Sequence, residues 1–411
     1  NPPYVRMELI KEQKPLLKQR YFEVYAGRAD LYVYFYARTL HLLRKGGMGV
    51  FISSNKWLRA RYGKKMRQHL KEQTTVKVIV DFGDLPVFGA IAYPQIIAFR
   101  KQAVPEDHEF RALEVDDLAV VDRLVETVRE KAWDQPQASL RKTGWALVTP
   151  DVLALMKKLR QAGTPLGDYI EEDLHRGVLT GFNKAFEIEQ SEHDRLIDED
   201  PHSAEVIRPW VRGRNVSRWH IEWGGEYLIA IQNSGDEGAE NPWSDAKTEE
   251  EARQIFRDTY PAIHNHLSQY EDRLVKRWDQ GKFWWELRAC AYYEDFEKPK
   301  IVYQEIATYQ AFAYSEQPLL MNNKCFFIPT RDLFLLAILN SKVCWFFLGN
   351  IISKLQGDAY AMQSPYVKQR RRHPMSPRHR MSPLLRKSPP GNKNSTPSST
   401  TSTASQKTKS R

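Results

Sequence analysis

Asn1, Pro2, Pro3 and Tyr4 form the run in this sequence with the clearest chemical potential. Asn1 offers an amide oxygen and Pro2 a backbone carbonyl, two acceptors in adjacent residues. Two consecutive prolines fix φ and stiffen the loop that carries them. Tyr4 adds a flat aromatic face. This combination suits an aromatic amine, which is a poor nucleophile because its lone pair is spread into the ring. Acceptors aimed at its two hydrogens draw the nitrogen towards a tetrahedral state, and placing them before the reaction is electrostatic preorganisation. The competing reading is a proline-rich turn, and a tetrapeptide alone does not decide between the two.

A chain of 411 residues has room for two or three cores, and 42% hydrophobic with 12% aromatic residues is a globular composition. Cys290, Cys325 and Cys344 are scattered, which excludes a disulfide framework or a cysteine zinc site and points to a reducing, cytoplasmic compartment. The apolar stretch 333–352 is interrupted by Asn340, Ser341 and Lys342, so a buried helix is expected there and no membrane partner. The net charge of +10 suggests nucleic acid, but its distribution is uneven. Eleven of the 61 Lys and Arg fall in 369–411, where there is no Asp or Glu; the other 50 face 51 acidic residues. Any DNA-binding surface on the folded body must therefore be a local patch.

The elements that must position the opening run alternate between helix and strand. Residues 30–43 have helical apolar spacing, and 49–53 read as a short buried strand. A basic, polar helix is expected over 62–72, with strands over 76–82 and 94–99. Such alternation predicts an α/β sheet, whose ligands sit at the carboxyl ends of the strands.

The run 1–101 resembles the second half of the gamma-class DNA adenine-N6 methyltransferases. Asn1-Pro2-Pro3-Tyr4 is that family's signature, followed here by Ala29-Asp30-Leu31-Tyr32, by the helix-to-strand joint from Leu42 through Gly46-Gly47 to Ile52, and by Asn55-Lys56-Trp57-Leu58. Val87-Phe88-Gly89-Ala90 through Phe99 fits the last motif. The resemblance implies catalytic roles for Asn1, Pro2, Pro3 and Tyr4, with Tyr4 and Phe88 stacking on an adenine flipped out of duplex DNA. It also implies S-adenosyl-L-methionine as methyl donor. The Gly-rich turn that binds this cofactor comes before Asn-Pro-Pro-Tyr in the family, so it is expected upstream of residue 1. By that expectation the chain is a C-terminal portion, inactive alone and complemented by an N-terminal methyltransferase or nuclease polypeptide.

Residues 103–147 read as a charged linker with one helix over 116–131. A helix over 150–161, ended by Gly163, opens the next domain. The run from Arg176 to Phe186 and the run from Ile207 to Val216 resemble the target-recognition domain fused to type II restriction–modification and phage-exclusion methyltransferases. Tyr260-Pro261-Ala262-Ile263, Trp284-Trp285-Glu286-Leu287-Arg288, Lys298 to Tyr303, Asn322-Asn323, Leu336 to Ser341 and Ser364-Pro365-Tyr366-Val367 continue it in order. The DNA contacts expected from it are Arg176, Thr180, Asn183, Lys184, Arg208, Arg212, Arg214 and Arg218, the last three interleaved with Trp210 and Trp219. An arginine-rich solvated loop is the competing reading. His264 and His266 are expected at the surface of a polar helix, with no metal site and no endonuclease site in the chain.

The expected fold class is α/β: a partial Rossmann-like methyltransferase sheet (1–102), a linker (103–147), an α+β target-recognition domain (148–368) and a disordered basic tail (369–411). The tail lacks the apolar residues to fold. It reads either as a basic arm or, preferably, as a frameshift product, since 394–405 read one base out of register give an apolar, helical sequence. The expected function is site-specific adenine-N6 methylation of double-stranded DNA in a restriction–modification or phage-defence system. The alternative is a non-catalytic DNA-recognition subunit, and a less favoured one an RNA or protein methyltransferase.

Overall fold

Three apolar strands organise the N-terminal part: β1 (Met48–Ser54), β2 (Thr75–Asp81) and β3 (Pro94–Arg100). β3 lies between the other two and runs antiparallel to both, so β1 and β2 point the same way. Ile97 and Phe99 in β3 and Val76 and Ile79 in β2 pack into one core, while Val80 in β2 and Ile96 in β3 pack into another, so the central strands are covered on both faces. β4 (Glu109–Glu114) pairs parallel to β2, and β5 (Trp133–Pro136) antiparallel to β4. The computed structural model describes residues 1–88, 93–171, 173–352, 354–355 and 359–363. The expected tail, Ser364 to Val367 and Gly89-Ala90 lie outside the described residues.

Residues 103–147 are therefore more than the connector their composition suggested. β4 and β5 extend the sheet, and Phe110, Ala112, Leu140, Trp145 and Leu147 share a core with Tyr36, Trp57 and Phe99. On the other face Val80 and Leu113 meet Ala132 and the helix Leu124–Lys131. Two glutamines fasten this extension. β2 shifts register between Val76 and Val78, and the Val76 N–H donates to Gln137 Oε1 at 2.8 Å while Gln137 Nε2 donates to Thr74 O at 2.8 Å. Gln135 Nε2 donates to Ala146 O at 2.9 Å and its Oε1 accepts from Val148 N at 3.1 Å. The helix Lys64–Gln73 is less polar than its charges suggested: Met66, Arg67 and Leu70 are buried. Arg67 donates to the carbonyls of Trp57, Ala60 (2.9 Å) and Lys142 (3.0 Å), tying the far segment down without a carboxylate.

The C-terminal part mixes helices with two four-stranded sheets. Lys300–Gln304 runs antiparallel to Phe312–Ser315 and Cys325–Pro329, and the latter pairs with His175–Arg176. The second sheet joins Ile207–Val211, Glu226–Ile229, Glu187–Glu189 and the short Leu320–Met321. Between them is an aromatic core in which Trp285 stacks on Phe283 (4.8 Å) and Phe256 (5.1 Å). Residues 333–352 form two short helices, Leu333–Leu339 and Lys342–Gly349, with Ser341 capping the second. No helix among the described residues is long and apolar enough to cross a membrane.

His264 and His266 depart from expectation. Both are buried, on the helix Pro261–Ser268, which is covered on more than one side: Ala262, Ile263 and Leu267 are buried as well. His266 Nδ1 lies 2.9 Å from Glu192 Oε1 and its Nε2 3.0 Å from Ala185 O, so both ring nitrogens have an oxygen partner. Hydrogen bonds from Arg195, then His266, hold the Glu192 carboxyl down at about 2.

Replacing Gln137 by Leu leaves the Val76 N–H and Thr74 O without their partner. We expect a loss of about 1–3 kcal/mol in urea unfolding, whereas an unchanged midpoint would show that the bulge needs no side-chain support. A depressed carboxyl contributes stability above its unfolded value near 4.5, and that contribution fades as pH falls towards 2. The stability gap between the wild type and Glu192→Gln should accordingly shrink between pH 6 and pH 3, and a gap constant with pH would refute the assignment.

Candidate functional site

The parallel direction of β1, β2 and β4 brings Ser54, Asp81 and Glu114 to one edge of the sheet. The N-terminal run lies at this edge. Leu31 N donates to Val5 O at 3.0 Å and Met7 N to Asp30 Oδ1 at 2.9 Å, fixing the segment against the head of the helix Tyr32–Leu42. Pro2 is buried, while Asn1, Pro3 and Tyr4 are exposed. The Tyr4 hydroxyl donates to Ile52 O in β1 at 3.2 Å. Its ring lies 6.0 Å from Phe88 and 6.2 Å from Tyr32, both tilted. The two aromatics assigned to base stacking thus meet, although 84 positions separate them in the sequence.

Beneath Tyr4 is a rigid floor. Tyr36 stacks on Phe51 at 4.3 Å, its hydroxyl 2.7 Å from Ser53 Oγ, and Gln95 Nε2 donates to that hydroxyl at 3.1 Å. Gln95 Oε1 is buried without a partner. Burial raises the Tyr4 phenol above its usual value and the Tyr36 phenol further, so both remain neutral donors. Beside them Asn55 Nδ2 donates to Asp81 Oδ1 at 2.7 Å, and the Lys56 ammonium sits 4.8 Å over the Tyr93 ring. The arrangement is an aromatic, partly open platform with oxygen acceptors at its rim.

The methyl donor implied by the resemblance needs a Gly-rich turn between a strand and a helix. Among the described residues β1 runs through Ser53-Ser54-Asn55 into Lys56–Arg59, and β2 runs into a turn with one glycine, Gly83, whose N–H donates to Asp81 Oδ1. Neither forms such a cradle. The described residues do not supply the Gly-rich turn that this cofactor needs.

The expected DNA contacts divide sharply. Lys184 and Asn183 are exposed, while Thr180 is buried with its hydroxyl on Asn183 Oδ1 at 2.5 Å. Arg176 is exposed but donates to Asn323 O at 2.7 Å and pairs with Glu305 at 3.3 Å. Arg208 donates to the carbonyls of Ala204 and Ile207. Arg212 pairs with Glu187 at 2.6 Å and Glu226 at 3.2 Å, and Arg214 with Glu226 at 2.9 Å. Arg218 donates to Asn340 O at 2.9 Å and lies over the exposed Trp219, whose φ is +74. Trp210, expected to interleave with these cations at the surface, is a core residue.

One surface residue escaped the sequence reading. Trp278 is 96% exposed, the most exposed large apolar side chain among the described residues. The preceding Arg277 is buried, donating to the carbonyls of Thr180, Trp284 (2.8 Å) and Glu286. Gly181 closes the contact with φ +71; a Cβ there would come 2.7 Å from Asp279 O. The Thr180–Lys184 turn and Trp278 therefore share one anchored surface, signalled only by the Arg-Trp doublet. Asp173, His175 and Asp295 also converge, His175 Nε2 lying 2.7 and 2.9 Å from the two carboxylates. A single ring nitrogen lies near both acids, Lys298 Nζ sits 2.6 Å from Asp295, and the ligand atoms of the three residues lie within 4.8 Å of one another.

Residues 1–88 match the family model described as Eco57I restriction-modification methylase, and residues 208–369 that of the TaqI-like C-terminal specificity domain. The type II methyltransferase M.BstVI of Geobacillus stearothermophilus is 25% identical over 403 residues, covering 90% of this chain and 66% of that protein. M.PaeR7I of Pseudomonas aeruginosa is also 25% identical, over 90% of this chain and 63% of the relative. The chain thus spans about two thirds of the length of these curated relatives. Among solved structures, the type IIL restriction-modification enzyme MmeI in complex with DNA superposes with a TM-score of 0.52 at 13% identity, over 85% of this chain and 42% of MmeI, a likeness of fold. Built as an Eco57I-type methylase segment followed by a TaqI-like specificity domain, the chain is a homologue of the type II methyltransferases of restriction–modification systems.

Proposed function

We propose that this chain is the base-holding and target-reading part of a site-specific DNA methyltransferase that modifies the N6 amine of a flipped adenine, with S-adenosyl-L-methionine as donor. The observation that carries the reading is the meeting of Tyr4 and Phe88 at 6.0 Å, on the strand edge where α/β sheets take ligands. In this reading the Asn1 amide oxygen and the Pro2 carbonyl accept the two amine hydrogens, and Pro3 stiffens the loop. Tyr4 and Phe88 contact the faces of the base. Arg176, Thr180, Asn183, Lys184, Arg208, Arg212, Arg214 and Arg218 belong to the DNA-reading part in unequal roles. Exposed Lys184 and Asn183 face DNA, and Arg212 supports the surface from within. The cell would hold it in the cytoplasm, beside a nuclease that cuts the unmodified site.

A bound sequence is first selected from a randomised duplex pool, and each adenine in it is replaced by 2-aminopurine. Fluorescence should rise at one position only, with Tyr4→Ala and Phe88→Ala each reducing the rise severalfold; no responding position would overturn base flipping. Mass spectrometry of the nucleosides from DNA incubated with the chain, the donor and an N-terminal polypeptide that supplies the donor site then identifies the product. N6-methyladenine supports the full reading, N4-methylcytosine would replace adenine by cytosine, and flipping without methylation would leave a recognition subunit.

The two kinds of cation separate experimentally. Lys184→Ala should lower the salt slope of DNA binding by about one unit with an unchanged unfolding midpoint. Arg212→Ala removes the partner of Glu187 and leaves Glu226 with Arg214 alone, and should cost about 1–3 kcal/mol of stability, measured by urea unfolding. The reverse pattern would exchange their roles.

A further inference from the structure

A cavity of about 220 Å³ opens where the segment 138–146, the helix Pro150–Ala162 and the turn at Asn350-Ile351 come together. Four cations line it, Arg59, Arg141, Lys157 and Arg160, and its described lining contains no Asp or Glu. Like charges converge here at a cost, since Arg141 acts on both Arg160 and Lys71 as a repelling neighbour. Burial first, and Arg141 second, bring the Arg160 guanidinium down to about 10. Arg59 donates to Ile352 O at 3.2 Å and feels the Glu114 carboxyl, which does not line the cavity. The Arg160 guanidinium rests 5.1 Å over the Phe347 ring.

A second observation points the same way. Trp145 lines this cavity, is 1% exposed, and its indole N–H is buried without an acceptor. An indole nitrogen can only donate, and a buried donor without a partner is costly.

We propose that this cavity is an anion site that binds a phosphate group, through the guanidinium groups of Arg59 and Arg141, the Lys157 ammonium and the Trp145 N–H. Guanidinium forks match phosphate oxygens, and a concave site lined by one sign of charge focuses its field on the ligand. The phosphate can belong to a DNA backbone passing the seam between sheet and specificity domain, or to a free nucleotide. The site stands whether or not the methyltransferase reading holds.

The test is calorimetric titration of the whole chain with inorganic phosphate at matched ionic strength. Saturable binding at one site is expected. Arg141→Gln, an exposed position, should weaken it at least tenfold, and Trp145→Phe, which removes only the N–H donor and keeps the ring, severalfold. Urea unfolding of each variant confirms that it is folded. Competition then assigns the source. Displacement of phosphate by a short duplex identifies the DNA backbone, and ATP binding tighter than phosphate and undisturbed by duplex identifies a nucleotide. Absence of saturable phosphate binding, or binding unchanged in folded Arg141→Gln, overturns the proposal.

Discussion

The direction of one strand governs the rest of the N-terminal architecture. β3 runs against both of its neighbours, so β1 and β2 can lie in one sheet and point the same way, each held to β3 by an antiparallel ladder. β4 then adds parallel to β2 and delivers a third carboxyl end to the same edge. Without the reversed strand, Tyr4 at the end of β1 and Phe88 in the turn leading to β3 would not share a surface. The Tyr36, Ser53 and Gln95 network crosses from helix to β1 to β3 and keeps that edge in one register.

In the specificity domain the arginines do two different jobs, and burial separates them. Arg212 and Arg277 are anchors: the first joins two acids from neighbouring strands, and the second collects three carbonyls from two loops. An internal guanidinium with fixed partners is rigid because losing any one bond leaves a buried charge less well satisfied. What these anchors hold out to solvent, the Thr180–Lys184 turn and Trp278, is therefore presented without the looseness usual in loops.

The strands and helices of the first hundred residues were legible because each has a clean apolar period, and the Tyr4–Phe88 pairing followed from motif order. The extension of the sheet over 109–136 was not. β5 reads Trp-Asp-Gln-Pro, with neither alternation nor β-branched residues, and it is held by ladder bonds to β4 and by the hydrogen bonds of Gln135 and Gln137, which leave no periodic trace. The inward face of His266 was equally hidden, because its partner Glu192 is 74 positions away on another helix. Charge misled most over 208–218, where composition suggested a surface and the structure engages Arg212 with acids from two other strands, Arg218 with a carbonyl at a helix end and Arg208 with carbonyls close by in the chain.

The glutamine stitching has a bearing on how such proteins diversify. Gln135 and Gln137 tie the stretch that leaves the sheet to the bulge in β2 and to the backbone at Ala146 and Val148, and Trp145 packs edge-on against Trp57 at 5.1 Å. The chain is therefore committed to the catalytic half until just past residue 147. Recombination that grafts a foreign specificity domain at residue 103 would tear two strands from the sheet. A crossover in the Thr149–Pro150 step, at the head of a largely solvated helix, would cut no ladder. The joint thus falls where the sequence reading began the target-recognition domain, at 148, and the segment read as linker belongs to the sheet.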